Sequence, residues 1–294
     1  MDRLDCIRVF QKVADHKSFA EAARELRISP VAASRAVSTL EDEIGVRLLR
    51  RTTRSVRLTD QGVDYLERTR RALSELEDAA RTVRGENASP RGSLVVTAPV
   101  MFGRMHVMPI VASLLREHPE LSVKLILVDR VVRLVEEGID IAVRIAHLPD
   151  SGLRALPFAS VRQVLVASPE YLERRGTPKS IEDLALHDLV VFDSAGLNAE
   201  WRRGASRSQI EPRLLTNSVD ASIDAATLGL GIARLYSYHV ARQLADGKLV
   251  RVLVDSEDED IPVSLVYEGN RQQSPNVRAF FAAAQAMFPN RPSL

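Results

Sequence analysis

Residues 18–44 read SFAEAARELRISPVAASRAVSTLEDEI, and two short helices joined by a tight turn follow from that stretch alone. In its first half Phe19, Ala22, Ala23 and Leu26 fall at i, i+3, i+4 and i+7, the spacing of one buried helix face. Ser18 is placed to cap this helix, and Glu21 three residues on completes a capping box. The second helix opens at Ser29-Pro30, a hydroxyl for the cap and a proline where no N–H is missed. Its core face is Ala33, Val37, Leu40 and Ile44, and Gly45 is its stop signal. On the opposite face stand Val31, Ser34, Arg35 and Ser38, with small residues around them. A slim surface carrying a few groups able to bond base edges suits the major groove. A plain helical hairpin with a solvated face is the simpler reading. Cap, tight turn and small outward face together favour a DNA-reading helix, with Ser29 at its start.

Working outward, a first helix over residues 4–15 places Leu4, Ile7, Phe10, Val13 and Ala14 at helical spacing, a third wall for the two-helix motif. After the second helix, residues 46–49 and 56–58 read as short strands around a tip at 50–55, the wing of a winged helix. Between Val46 and Arg57 there are five arginines and no acid. Arg51 and Arg54 at the tip suit phosphate or the narrow minor groove, and Thr52 and Thr53 the sugar-phosphate backbone. Residues 1–59 hold 12 Lys and Arg against 8 Asp and Glu, so +4 there and −3 in the rest of a chain of net charge +1. Double-stranded DNA is the partner this asymmetry favours. Thr59 then caps a helix predicted to run to about residue 84, roughly 40 Å long. Leu66, Thr69, Leu73, Leu76, Ala80 and Val83 alternate spacings of three and four, the seam of a coiled coil that would pair two subunits. A lone amphipathic helix lying on its own domain is the alternative.

Several of these residues also carry a family resemblance. Ser18-Phe19, Ala22-Ala23, Leu26, Ser29, Ser34-Arg35, Leu40-Glu41, Gly45-Val46 and Leu48 are similar to the signature of the LysR-type transcriptional regulators, and Arg51-Thr52, Leu58-Thr59 and Gly62 continue it. Pro30-Val31 stands where many members have Gln-Pro, a departure that bears on base preference. The resemblance implies a winged helix-turn-helix domain (1–59), a linker and dimerisation helix (60–86), and a two-lobed α/β effector domain like a periplasmic binding protein (92–294). It also implies homodimers or homotetramers, RNA polymerase as a partner, a small-molecule effector and no catalysis.

The C-terminal residues agree with an α/β multidomain fold. Polar residues 85–92, with Gly and Pro, read as a hinge. Beyond it strand and helix alternate: strands at 93–97, 122–128 and 139–145 with helices at 103–118 and 131–137, then strands at 162–167, 189–192 and 231–235 with helices at 181–186, 219–228 and 237–245. A strand at 263–267 and a helix at 275–288 close the chain. Such alternation predicts parallel sheets with helices on both sides, as lobe I (about 92–161 and 268–294) and lobe II (about 162–267). Thr97-Ala98-Pro99, Phe102-Gly103, Asp140 to Arg144, Ala167-Ser168-Pro169 and Gly229 to Ile232 resemble the family's effector domain, except that Ala146 stands where a glycine is usual.

Ligands in open α/β sheets bind beyond the carboxyl ends of the strands. That rule, and the resemblance, make Thr97, Ala98, Pro99, Val100, Met101, Phe102, Arg130, Arg144, Asn217 and Ser218 candidate effector-binding residues. An apolar wall with an arginine suits an aromatic or carboxylate ligand. Arg144 serves either that ligand or a structural salt bridge, and Trp201 either covers the cleft or packs in the core.

Composition, with 45% hydrophobic and 27% charged residues over 294 positions, is globular. The N-terminus is unlike a signal peptide and no apolar run reaches membrane length, so a cytoplasmic protein without membrane association is expected. The single cysteine, Cys6, reads as a core residue rather than a redox sensor. Six histidines lack ligand or triad spacing, and no phosphate-binding loop is present, so no catalytic residue, metal or cofactor is expected. The acidic run 255–260 lacks the pattern of a calcium loop and reads as a solvated loop.

Overall fold

The computed structural model describes residues 1–51, 56–83, 89–148, 152–193, 202–203, 206–207 and 212–294. The chain divides into two compact units, Met1–Ala88 and Ser89–Leu294.

The first unit comprises α1 (Arg3–His16), α2 (Phe19–Glu25), α3 (Pro30–Ile44), β1 (Leu49–Arg51), β2 (Val56–Leu58) and α4 (Asp60–Val83). At α3 the Ser29 hydroxyl accepts from the Ala32 amide at 3.1 Å, and Gly45 closes the helix at φ 78°, where a side chain would be strained. At α2 Ser18 accepts from the Glu21 amide, but the Glu21 carboxylate turns to Arg24 at 2.8 Å; the reciprocal capping box lies instead between Asp2 and Asp5 at α1. The buried face of α1 is Cys6, Val9, Phe10 and Val13, and Leu4 is exposed. The expected stripe and the observed one share Phe10 and Val13, Ile7 and Ala14 pack half-buried against the same core, and Phe10 meets Tyr65 of α4 at 5.8 Å between ring centroids. The expected face therefore holds apart from Leu4, and it extends to Cys6 and Val9. Cys6 is a core residue whose thiol is pushed up by burial.

On α4 the long-helix expectation holds, but its apolar seam is divided. Leu66 and Leu73 are buried inside the protomer, Leu66 in the same core as α1 to α3, and Thr69 accepts a hydrogen bond from Gln11 at 3.3 Å. Neither leucine is therefore open to a partner helix as the coiled-coil reading required. Leu76 is exposed, while the side chains of Ala80 and Val83 lie outside the described residues.

The second unit begins with β3 (Gly92–Ala98), then α5 (Val100–Phe102), which runs through a π-helical turn (Gly103–Val107) into α6 (Met108–Glu117). There follow β4 (Leu121–Leu127), β5 (Ile141–Ile145), β6 (Leu153–Val161), β7 (Gln163–Ala167), α7 (Pro169–Arg175), β8 (Leu189–Phe192), the short pair β9 (Arg202–Arg203) and β10 (Ser206–Arg207), and β11 (Leu214–Thr216). The last elements are α8 (Val219–Thr227), β12 (Ile232–Tyr236), α9 (Ser237–Ala245), β13 (Val250–Val252), β14 (Ile261–Glu268) and α10 (Pro275–Met287). Two five-stranded sheets form two lobes, in the orders β4-β3-β5-β14-β6 and β11-β8-β12-β7-β13.

These sheets are mixed, not parallel as expected. β14 runs antiparallel to both β5 and β6, and β7 to both β12 and β13. β14 also belongs to the first sheet, so the chain re-enters lobe I before Ile261 rather than near residue 268. Strands β6, β11 and β13 and helix α7 had no counterpart in the expected order. No helix forms over residues 131–137, and 134–138 form a turn. There the Glu137 carboxylate takes the Arg130 guanidinium at 2.6 Å and the Arg133 amide at 3.0 Å, closing the segment on itself. The acidic run is not simply solvated: Arg251 pairs with Glu257, Arg234 with Asp258, and Arg162 with Asp260.

Candidate functional site

In the first unit the surface of interest is the outer face of α3 together with the wing. Val31 is 78% exposed at the first turn and Arg35 is exposed one turn on, while Ser34 and Ser38 are half-buried at its flanks. Arg35 takes part in no ion pair among the described residues. The Ser29 hydroxyl is committed to its cap. In the wing Leu49 pairs with Leu58, turned to the core, and Arg50 lies directly opposite Arg57, both exposed. Like charges opposite one another destabilise a strand pair, a cost that a phosphate between them removes. Arg51 lies at the end of β1 with its side chain outside the described residues, as are Thr52, Thr53 and Arg54 altogether.

What holds the wing against α3 is a residue that sequence reasoning did not single out for a role. Glu41 is 2% exposed; its Oε1 accepts from the Leu48 and Leu49 amides at 2.9 and 3.0 Å, and its Oε2 from Arg47 at 2.8 Å. β1 starts at Leu49 and not at residue 46 as expected. The Arg47 guanidinium is correspondingly engaged, its pKa raised by the Glu41 carboxylate. At the other end of the wing, the Thr59 hydroxyl accepts from the Gly62 amide at 2.9 Å and donates to the Arg47 carbonyl at 2.8 Å. A Cβ on Gly62 would stand 2.0 Å from the Leu48 carbonyl oxygen, so only glycine lets α4 begin this close to the wing. A glutamate four residues before a helix stop carries no signal of its own; its burial was the missing fact.

In the second unit a cleft of about 350 Å³ opens between the lobes. Lobe I contributes Thr97, Ala98, Pro99, Met101 and residues 128–132 and 142–148; lobe II contributes Phe192, Val219, Tyr236, Tyr238 and His239. Of the expected residues, Thr97, Ala98, Pro99, Met101, Arg130 and Arg144 are on its wall. Val100 is 41% exposed and off the wall, with its amide donated to Asp129 at 2.9 Å, so that N–H does not face a ligand. Phe102 is fully buried in the lobe core, because α5 and the π-helical turn rotate it inward. Asn217 and Ser218 are exposed and not on the wall; the Ser218 hydroxyl caps α8 and Val219 takes the place on the cleft. Trp201 lies outside the described residues.

Of the two cleft arginines, Arg130 is the one in a salt bridge. Its fork holds Glu137 at 2.9 and 2.6 Å and, with the Arg133 amide, lowers that carboxyl to about 2. Arg144, half-buried, donates to the Val132 carbonyl at 2.6 Å and has no carboxylate partner among the described residues. The aromatic wall was missed because Tyr236, Tyr238 and His239 lie far along the chain, where β12 meets α9. Tyr236 and Tyr238 stack at 6.1 Å with 12° between their planes, and burial raises both phenols. His239 accepts the Tyr236 amide on Nδ1 at 3.3 Å, which leaves its proton on Nε2.

Burial holds His239 neutral, with its pKa lowered to about 3. The unfolded chain therefore binds a proton near pH 6.5 that the folded lobe refuses. Stability contributed by this group is full above about pH 6.5 and falls as the pH drops from there toward about 3. Thermal melts across that window should show the decline, and His239→Gln should flatten it; an equal decline in the variant would assign the effect to other groups.

Sequence patterns of two families match these two units. That described as "Bacterial regulatory helix-turn-helix protein, lysR family" covers residues 4–63, and "LysR substrate binding domain" covers residues 87–289. A winged helix-turn-helix joined by a helix to a two-lobed, cleft-bearing α/β domain defines a ligand-responsive class of DNA-binding regulator. The chain belongs to the LysR family of transcriptional regulators, a family of regulators and not of enzymes. It is 32% identical over 278 residues to the HTH-type transcriptional regulator CrgA of Neisseria meningitidis serogroup B, covering 93% of both chains. It is 34% identical over 298 residues to PtxR of Pseudomonas aeruginosa, covering 98% of this chain and 94% of that one. The solved structure of CrgA aligns over 96% of this chain and 98% of its own, at 31% identity and a TM-score of 0.59. No helix among the described residues is long and apolar enough to cross a membrane.

Proposed function

We propose that this regulator reads promoter DNA with Val31, Ser34, Arg35 and Ser38 of α3 in the major groove and with the wing arginines on the backbone, and that its cleft takes a small aromatic carboxylate. The observation that carries the ligand class is Arg144: a cation on the cleft wall, without a carboxylate partner among the described residues, in a cavity shared with Tyr236, Tyr238 and Phe192. An arginine supplies the fork for a carboxylate, and aromatic and aliphatic walls supply the burial. The ligand prefers one arrangement of the lobes, and the resulting population shift re-spaces the DNA-binding units of a homodimer or homotetramer. Exposed Leu76 on α4 supports pairing through the outer part of that helix. RNA polymerase is the further partner in this reading, and the cytoplasm the compartment.

A footprint on the DNA upstream of the protein's own gene, with benzoate and related aromatic acids, tests it. The wild-type chain should protect a dyad-symmetric site whose extent changes with one acid. Arg144→Met should keep the protection and lose the response. A response that survives in Arg144→Met would remove Arg144 from the ligand site, and one elicited only by uncharged compounds would overturn the carboxylate.

A further inference from the structure

The chain passes between the lobes twice, at Arg162 between β6 and β7 and over residues 253–260 between β13 and β14. Both crossings are tied to each other and to a third stretch, residues 292–294. Arg162 Nε donates to Asp260 at 2.7 Å, and the Ser160 hydroxyl to the same carboxylate at 3.2 Å. The Ser293 hydroxyl, together with Arg162 and Ser160, holds the Asp260 carboxyl below its usual range. Residues 292–294 lie beside the end of β6 in a single parallel bridge between Ser160 and Ser293: the Ser160 amide donates to the Pro292 carbonyl at 3.0 Å and the Leu294 amide to the Ser160 carbonyl at 2.9 Å. From there the stretch reaches lobe II. The Ser237 hydroxyl, at the start of α9, donates to the main-chain oxygen of Leu294 and accepts from the Arg162 amide at 3.3 Å, while the Ser237 amide donates to the Arg162 carbonyl at 2.8 Å.

Just before this strap Asn290 and Arg291 both sit in the left-handed region, at φ 62° and 50°. Two successive non-glycine residues keep that conformation only where surrounding contacts over-determine it. The contacts present here are those of the strap, including Leu294 packed against the main core.

We propose that residues 292–294, Ser237 and the Arg162–Asp260 pair form a clasp over both inter-lobe crossings, and that this clasp sets how readily the lobes rearrange when the cleft is filled. The proposal rests on the reading of the cleft as an effector site. The two ends of the clasp are physically continuous with the cleft wall. Tyr236, which lines the cleft, immediately precedes Ser237, and the amide of Ala146, also on the wall, donates to the carbonyl of Pro262 just beyond the second crossing at 3.2 Å. Rotation of lobe II about its crossings must strain or break the Ser237–Leu294 contact, which joins lobe II to the strap beside lobe I, and must load the Arg162–Asp260 pair, which ties the two crossings to each other.

Hydrogen exchange on the full chain without ligand tests the clasp, comparing wild type with Ser237→Ala and with Asp260→Asn. Asparagine preserves the shape of the aspartate, so one variant stays folded where a bulkier change would not. Exchange at the Ser160 and Leu294 amides should rise about tenfold in both variants, as expected when a local opening becomes easier. The Tyr236 and Ala146 amides on the cleft should accelerate with them, and the distant Leu172 and Leu228 amides should not. Acceleration confined to Ser160 and Leu294 would show a passive strap and overturn the proposal. Uniform acceleration, including Leu172 and Leu228, would show general destabilisation and overturn it equally. Because no ligand is added, these outcomes are independent of whether benzoate or any other acid occupies the cleft.

Discussion

Arg35→Ala is expected to abolish footprinting at the operator while leaving the melting of the protein unchanged. The guanidinium projects from the middle of α3, exposed and outside any ion pair among the described residues, so the fold has little to lose with it. A bidentate arginine contact to a guanine is worth about 1–3 kcal/mol of discrimination, and a two-fold assembly loses it at both half-sites. At fixed salt, the loss of specific binding should therefore reach on the order of a hundredfold or more, with weak non-specific binding preserved by the wing and its salt dependence intact. Fluorescence anisotropy on operator and scrambled duplexes distinguishes the terms. Unchanged protection would remove Arg35 from the base-reading set, and an equal loss on both duplexes would make it a phosphate contact.

The largest effect on stability is expected from Glu41→Ala. That substitution strips the partner from the Leu48 and Leu49 amides in a buried place and leaves the Arg47 guanidinium without its acid. An unsatisfied buried donor costs about 1–3 kcal/mol, so the first unit should lose on the order of 3 kcal/mol. Glu41→Gln separates the causes. Its amide oxygen can still accept both amides at the Oε1 position, while the bond to exposed Arg47 is lost, and a pair with so exposed a partner contributes little. Urea denaturation should thus place the glutamine variant close to wild type and the alanine variant far below it. Comparable losses in both would mean that charge, not amide satisfaction, holds the wing. The alanine variant should also weaken DNA binding, since β1 and β2 hang from the two amides that Glu41 holds.

Much of the fold could be read from local chemistry. Ser29-Pro30 and Gly45 bound α3 because a cap, a missing donor and a left-handed stop act within a few residues of themselves. The wing, the long α4 and the alternation of strand and helix are equally local. Mixed sheets were not legible. A run such as 261–268 shows an apolar strand, but whether it lies parallel or antiparallel, and in which lobe, depends on strands more than a hundred residues away. On α1 the spacing reached Phe10 and Val13 but not the burial of Val9 or the exposure of Leu4, which depend on what packs against the helix.

Of the candidate site, the residues at strand ends were readable because ligands gather there. Thr97, Ala98, Pro99, Met101, Arg130 and Arg144 follow that rule onto the cleft wall, whereas Phe102 and Val100 do not, since three consecutive helical residues must point in different directions. By itself the sequence determined the helix-turn-helix, its outward face with Arg35, the basic wing and a two-lobed α/β partner domain, all properties of spacing, capping and charge. Only the tertiary structure decided that Arg130 is spent on Glu137 while Arg144 faces the cavity, that Tyr236, Tyr238 and His239 complete the wall, and that Glu41 fastens the wing. Each of those depends on which side chains meet across the fold, and pairing at a distance is set by packing that no local pattern encodes.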